Sequence, residues 1–188
     1  ARRVSLLLLP VGGALFVTAP ELMTLLYSAD YMESSRPFRI YLLLLPARLI
    51  YFGAIFQAAG RSDLILKRAV GTLVLNTVLS YPLVYYFGIE GAAWGTVLVF
   101  WLYVIPYCIR FCARLLETGW TGLMPYRYVG MLLLAITVSG AAALWMRHWF
   151  ASDFFVVNLA LGLGIYLCVL APLLFVLCRE DLQGYWRA

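Results

Sequence analysis

Five polar side chains inside apolar stretches are the candidates for ligand binding in this sequence. Arg48 is the most unusual of them, because it follows Pro46 within the stretch YLLLLPARLIYFG at residues 41–53. A charge at the centre of a bilayer-spanning helix costs about 2.5–3.5 kcal/mol on insertion scales, so some interaction must offset that cost. Arg48 either pairs with carbonyls that Pro46 frees or with an acid of another helix, or it faces a water-filled cavity and attracts an anion. A guanidinium suits phosphate, because its planar fork donates two parallel hydrogen bonds.

The other four candidates are a polar row on one predicted helix and a single glutamine. Thr72, Asn76 and Ser80 stand at i, i+4 and i+8 and therefore share one helix face. They either hydrogen-bond to neighbouring helices, at about 0.6 kcal/mol for each bond, or form one wall of a wet cavity. Gln57 follows Arg48 on the same predicted helix and is a weaker candidate for the same lining.

Residues that could perform enzymatic chemistry are sparse. The only histidine in the sequence is His148, and no pair of carboxylates falls inside the apolar stretches to act as a general acid and base. The cysteines lack histidine or carboxylate companions at metal-ligand spacing; they are Cys108, Cys112, Cys168 and Cys178. We therefore predict no catalytic residue, no metal and no cofactor, and we do not expect an enzyme.

The composition indicates a membrane protein. Of the 188 residues, 64% are hydrophobic and only 12% are charged, and the mean hydropathy is +0.91. The apolar residues form long runs, whereas the strands of a membrane barrel would alternate apolar and polar residues. We therefore predict an all-α, polytopic membrane helix bundle.

Six segments are long enough to cross a bilayer, which requires about 20 mostly apolar residues each. We predict one membrane domain with six transmembrane helices, at residues 4–27, 38–59, 64–87, 91–112, 128–146 and 154–177. The third and fourth are separated by three residues only, and Gly91 and Gly95 would let the fourth helix pack closely against a neighbour.

The distribution of positive charge predicts the orientation. Ten Lys and Arg residues fall at the ends of the segments that we assign to one side, three fall on the other side, and Arg48 belongs to neither. Because short loops rich in Lys and Arg stay in the cytoplasm, both termini are predicted to be cytoplasmic. The net charge of +5 is explained by this topology and does not indicate nucleic-acid binding.

Three stretches occur in a characteristic order: ELMTLLYSADYMESSRPFRIY, QAAGRSDLILKRAVGTLVLN and YFGIEGAAWGT. They contain a leucine-rich stretch ending in Tyr at Leu25–Tyr31, an A-x-G-[RK] turn at Ala58–Arg61, Asn76 within the next helix, and a G-I-x-G-A-A hairpin at Gly88–Ala93. Over about residues 10–115 this order resembles the second half of the Wzx-like polysaccharide flippases. These belong to the multidrug/oligosaccharidyl-lipid/polysaccharide exporter superfamily. Because the sequence opens ARRV, without methionine, we expect it to be the C-terminal portion of a longer protein.

The resemblance implies a transporter with two bundles of six helices around a central cavity. Members move undecaprenyl-pyrophosphate-linked oligosaccharide across the bacterial cytoplasmic membrane, and Arg48 would hold the diphosphate. The implied partners are the lipid-linked oligosaccharide, membrane lipids, the N-terminal helical bundle and components of a glycan polymerase.

Three alternative functions remain open at this point. A drug or small-cation exporter of the same fold would use membrane carboxylates for ion coupling; Glu21 is the one candidate, and Arg48 would repel a cation. A non-transporting scaffold for glycan-synthesis enzymes would leave Arg48 inert. A membrane-bound sugar polymerase or acyltransferase would need a catalytic cluster near the outer hairpins, which the sequence does not contain.

Overall fold

The computed structural model describes residues 2–49, 52–117, 126–150 and 155–185, and every regular element in these ranges is helical. The prediction of an all-α protein is therefore confirmed for the described chain. The eight α-helices of these ranges are α1 (Arg2–Val17), α2 (Ala19–Tyr27), α3 (Ser35–Leu42), α4 (Phe52–Ala58), α5 (Ser62–Val99), α6 (Ile105–Leu115), α7 (Tyr126–Phe150) and α8 (Phe155–Tyr185). Two 3₁₀ helices, Ala29–Ser34 and Pro46–Leu49, and a π-helix, Phe100–Val104, lie between them.

Several of these helices are long and apolar enough to cross a membrane. Three stretches qualify among the described residues: Ser62–Leu115, Tyr128–Met146 and Val157–Phe175. Two bent pairs raise the number to five if each pair is one span, namely Val4–Val17 with Ala19–Tyr27, and Asp30–Leu42 with Pro46–Ala58. This agrees with a multi-pass membrane protein, whereas six spans and cytoplasmic termini stay predictions.

The continuous first helix predicted at residues 4–27 is wrong. The chain bends by 78° between α1 and α2, and Thr18 leaves the helical conformation between them. Pro20 lies in the first turn of α2 and supplies the reason, because its ring would clash with the carbonyl of residue 16 in an unbroken helix. The Thr18 hydroxyl donates to the carbonyl of Ala14 at 2.8 Å and so occupies one acceptor near the bend.

The continuous second helix predicted at residues 38–59 is also wrong. It is divided into α3, a turn, the 3₁₀ helix Pro46–Leu49 and α4, with a bend of 44°. Pro46 accounts for the end of α3 at Leu42, since it has no N–H to donate to the carbonyl of Leu42 and its ring would clash with that carbonyl in a continuous helix. α7 and α8 extend beyond the predicted ranges 128–146 and 154–177, except that residue 154 lies outside the described residues.

The third and fourth predicted segments fold back on each other within α5. Gly88 has φ 58° and ψ −136°, a non-helical conformation that glycine adopts without steric cost. A Cβ at Gly91 would overlap the carbonyl of Leu83, and a Cβ at Gly95 would come within 2.5 Å of the Ser80 Oγ. These contacts pair residues before and after Gly88 in reverse order, so two antiparallel arms of α5 pack closely, as the glycine spacing predicts.

The described residues divide into two compact units, one formed by Arg36–Tyr126 and the other by Arg2–Ser35 with Arg127–Ala188. The single membrane domain stays a prediction. The first unit has a core of Phe52, Phe56, Leu64, Val104, Cys108 and Cys112. The second has a core around Tyr166, whose buried hydroxyl donates to the carbonyl of Pro10 at 3.0 Å.

We expect Gly91→Ala to lower the free energy of unfolding by about 1–3 kcal/mol, because the added methyl group would overlap the backbone of the facing arm. In detergent, the thermal midpoint measured by circular dichroism should fall by at least about 2 °C. Gly164→Ala is the matched control, since a Cβ there meets no atom within 4 Å. Equal midpoints for both variants and the parent would contradict close packing of the two arms.

Candidate functional site

A cavity of about 480 Å³ lies inside the unit formed by Arg36–Tyr126. Its walls come from the broken segment around Pro46–Leu49, from the first arm of α5, and from the π-helix with the start of α6. The polar or charged lining residues are Arg48, Arg68, Thr72 and Asn76. The remaining ones are Ala47, Phe52, Gly53, Ala69, Leu73, Phe100, Val104, Ile105 and Cys108. An apolar cavity with a few convergent polar groups is the usual form of a small-ligand site.

Arg48 reaches the cavity from the 3₁₀ helix Pro46–Leu49. Its guanidinium carbon lies 5.3 Å from the centroid of the Phe100 ring, a distance at which the ring face attracts a cation. None of the ion pairs known between described residues, among them Arg36–Glu90, Arg61–Asp63 and Lys67–Asp63, involves Arg48. Arg48 therefore lines the cavity without a described acid partner, and its attraction of an anion stays a prediction.

Arg68 is a second cavity arginine that the sequence reasoning missed. The sequence places Arg68 only among the ten Lys and Arg residues of the predicted cytoplasmic side, whereas it lies half-buried on α5 and lines the cavity. Its Nη1 donates a long hydrogen bond of 3.7 Å to the Cys108 Sγ of α6. Its position could have been inferred, because it precedes Thr72 by four residues and so shares the face of the polar row.

The polar row is only partly in the cavity. Thr72 and Asn76 line it, and the Thr72 hydroxyl donates to the backbone carbonyl of Arg68 at 2.7 Å. Ser80 is not a lining residue; its hydroxyl donates to the Asn76 Oδ1 at 2.9 Å and it lies beside Gly95. These two hydrogen bonds are thus within one helix, and Ser80 orients the amide of Asn76.

Gln57 does not join the site. It is exposed near the end of α4 and is not among the cavity residues. Three of the five predicted residues, Arg48, Thr72 and Asn76, are therefore brought together around one cavity. A substrate-binding role for the five residues stays a prediction.

The charges of the lining residues favour an anion. Two guanidinium groups project from separate elements, and no carboxylate occurs among the described residues that line the cavity. Each guanidinium can donate a pair of parallel hydrogen bonds to phosphate or carboxylate oxygens. Over the described ranges, no three His, Cys, Asp and Glu side chains gather as metal ligands would.

No protein-family model matches the chain, and neither a curated protein nor a solved structure matches it.

The rate at which a thiol reagent modifies a cysteine in the cavity should depend on the charge of the reagent. We expect the ratio of the reaction rates of an anionic and a cationic methanethiosulfonate to be about tenfold higher for Thr72→Cys than for a control position. The reason is that Arg48 and Arg68 raise the local concentration of anions in the cavity. The control is Ser62→Cys, which is exposed beside the mixed charges of Arg61 and Asp63. Both rates are measured in a chain whose native cysteines are replaced by serine.

The preference at the Thr72 position should also shrink as salt is added, since salt screens the two guanidinium charges. The same anionic-to-cationic rate ratio at both positions would contradict a cationic cavity.

Proposed function

We propose that this chain is part of a flippase that carries undecaprenyl-pyrophosphate-linked oligosaccharide across the bacterial cytoplasmic membrane by alternating access. The observation that supports it best is a cavity that combines Arg48 and Arg68 with apolar walls and no carboxylate among the described lining residues. Ionisable residues inside membrane segments commonly mark the path of a substrate. A diphosphate is a suitable substrate group, because each of its two phosphoryl groups presents oxygens that can accept a pair of hydrogen bonds from a planar guanidinium fork.

The cavity volume limits which part of this substrate it can hold. About 480 Å³ is within the range of small-ligand sites. In the proposal, the diphosphate and the groups next to it occupy the cavity, while the rest of the isoprenoid lies in lipid. Thr72 and Asn76 offer hydroxyl and amide groups to the oxygens that the arginines leave free.

The wider arrangement follows the Wzx-like resemblance and is part of the same proposal. Six spans with cytoplasmic termini form half of the transporter, and an N-terminal bundle of the parent protein completes the cavity. Antiparallel packing of the two arms of α5 supports counting Ser62–Leu115 as two of the six spans. The proposed location is the bacterial inner membrane, with components of a glycan polymerase as further partners and no nucleic acid.

The alternative functions are less compatible with the charges of the site. An exporter of cationic drugs would have to admit a cation beside Arg48 and Arg68. Its candidate coupling acid, Glu21, is buried on α2 in the other unit. A non-transporting scaffold would give the two arginines no ligand.

Binding of a short isoprenoid diphosphate tests the proposal. We expect the chain in lipid nanodiscs to bind geranyl pyrophosphate, and Arg48→Ala or Arg68→Ala to weaken binding by about tenfold or more, because each removes charge-assisted hydrogen bonds. Arg48→Lys should bind with intermediate affinity, since it keeps the charge but loses the fork. The control is Arg110→Ala, an exposed arginine of α6 outside the cavity lining. Isothermal titration calorimetry gives the affinities.

Ethidium provides the comparison with the drug exporter. Binding of ethidium but not geranyl pyrophosphate would favour a cation exporter, and binding of neither would favour a scaffold. If geranyl pyrophosphate binds equally well to the Arg48, Arg68 and Arg110 variants, the cavity is not the anion site and the proposal fails.

A further inference from the structure

The turn that carries Arg48 contains a run of backbone hydrogen bonds with one step missing. The amides of residues 43, 44, 45, 47 and 48 each donate to the carbonyl three residues earlier, at 3.0–3.1 Å. Residue 46 would supply the absent step, but it is proline and has no N–H. The carbonyl of Leu43 is consequently the acceptor in this run that has no backbone donor.

The missing donor comes from a tryptophan on another element. The indole Nε1 of Trp101 donates to the Leu43 carbonyl at 3.2 Å. Leu43 is 40% exposed and Trp101 is 41% exposed, so this bond lies at the apolar outer face of the unit. Where such a surface faces lipid, no water can donate to the carbonyl, and the indole N–H takes the place of the missing backbone donor.

Trp101 belongs to the π-helix Phe100–Val104, and its neighbour Phe100 carries the ring that faces Arg48. Two consecutive residues of one π-helical turn therefore hold the broken segment at two points, the Leu43 carbonyl and the Arg48 guanidinium. A π-helical turn is rare and occurs often beside functional sites, because it changes the direction of the side chains that it carries. Tyr103 of the same π-helix packs against Gly71 in the first arm of α5, in the space that a Cβ at Gly71 would fill. The π-helix is therefore also held against that arm.

We propose that Trp101 is a positioning residue for Arg48. Its indole N–H supplies the donor that Pro46 lacks and holds the turn at residues 43–48 against the π-helix, so that the guanidinium of Arg48 stays on the Phe100 ring at the cavity wall. The value of this arrangement for anion binding rests on the proposed function, whereas the placement of Arg48 does not.

A rescue variant distinguishes this role from general packing. Pro46→Ala restores an amide that can donate to the Leu43 carbonyl and complete the run of hydrogen bonds. In that background the indole N–H is redundant, so Trp101→Phe should no longer have an effect. A tryptophan that mattered only through the bulk of its ring would respond to Trp101→Phe in the same way in both backgrounds.

The position of residue 48 is measured first. Arg48→Cys is introduced into the full chain with its native cysteines replaced by serine, and its reaction with a water-soluble maleimide in nanodiscs is timed. We expect Trp101→Phe to slow the reaction by about threefold to tenfold, the change that loss of one hydrogen bond produces, and Pro46→Ala to restore it. The matched control is Trp94→Phe, which removes a tryptophan of the same helical arm with 39% exposure and should leave the rate unchanged.

The affinity for geranyl pyrophosphate is measured second, with Arg48 and the native cysteines intact. Trp101→Phe should weaken binding, and Trp101→Phe with Pro46→Ala should restore it. If the parent chain binds no geranyl pyrophosphate while the labelling rates follow the expected pattern, the proposed function fails and the positioning role stands. Labelling that Trp101→Phe leaves unchanged, or that Pro46→Ala does not restore, overturns the positioning role.

Protein yield decides the case in which Trp101→Phe does not accumulate. Recovery of a folded protein by adding Pro46→Ala would support the hydrogen-bond role, because only the backbone donor has been returned. Failure of the double variant to accumulate, while Pro46→Ala alone and Trp94→Phe accumulate normally, would overturn it.

Discussion

A backbone carbonyl in an apolar segment needs a donor from the protein itself when the helical donor is lost, and the region around the cavity depends on this constraint. Pro46 removes one backbone donor from an apolar segment. The backbone there forms hydrogen bonds between residues three apart, which leave the Leu43 carbonyl without a backbone donor. The indole N–H of Trp101 donates to that carbonyl. The tightened turn also carries Arg48, which lines the cavity. The polar site is therefore a consequence of how an apolar segment satisfies its backbone.

Two like charges can share the cavity because each guanidinium has its own contact. Arg48 lies over the ring of Phe100, and Arg68 donates to the thiol of Cys108. Neither contact neutralises charge, and a surrounding medium of low dielectric constant strengthens the repulsion between the two groups. An anion bound between them would lower that repulsion. This is the physical basis for expecting an anionic ligand.

Close packing of the α5 arms follows from local sequence, whereas the breaks in the first two segments depend on how single prolines are accommodated. Gly88, Gly91 and Gly95 predict a tight antiparallel hairpin, because they remove the side chains that would separate two backbones. Pro20 and Pro46 were visible in the sequence as well. A proline inside an apolar segment can kink a helix slightly or end it, and the carbonyl partners that the rest of the fold supplies decide between these outcomes.

The sequence by itself determined the helical class and indicated a membrane protein, because long apolar runs in a bilayer can satisfy their backbone polar groups within helices. It also determined that Arg48, Thr72 and Asn76 are candidates for one site, since a charge or a polar row inside such runs needs a compensating environment. The four-residue spacing of Arg68 and Thr72 was visible in the sequence as well. Tertiary structure alone decided that Ser80 and Gln57 do not line the cavity and that Trp101 donates to the turn that carries Arg48. Those facts depend on contacts between residues up to 58 positions apart. No local pattern encodes such a contact, because the distance between two elements is set by the packing of all the side chains between them.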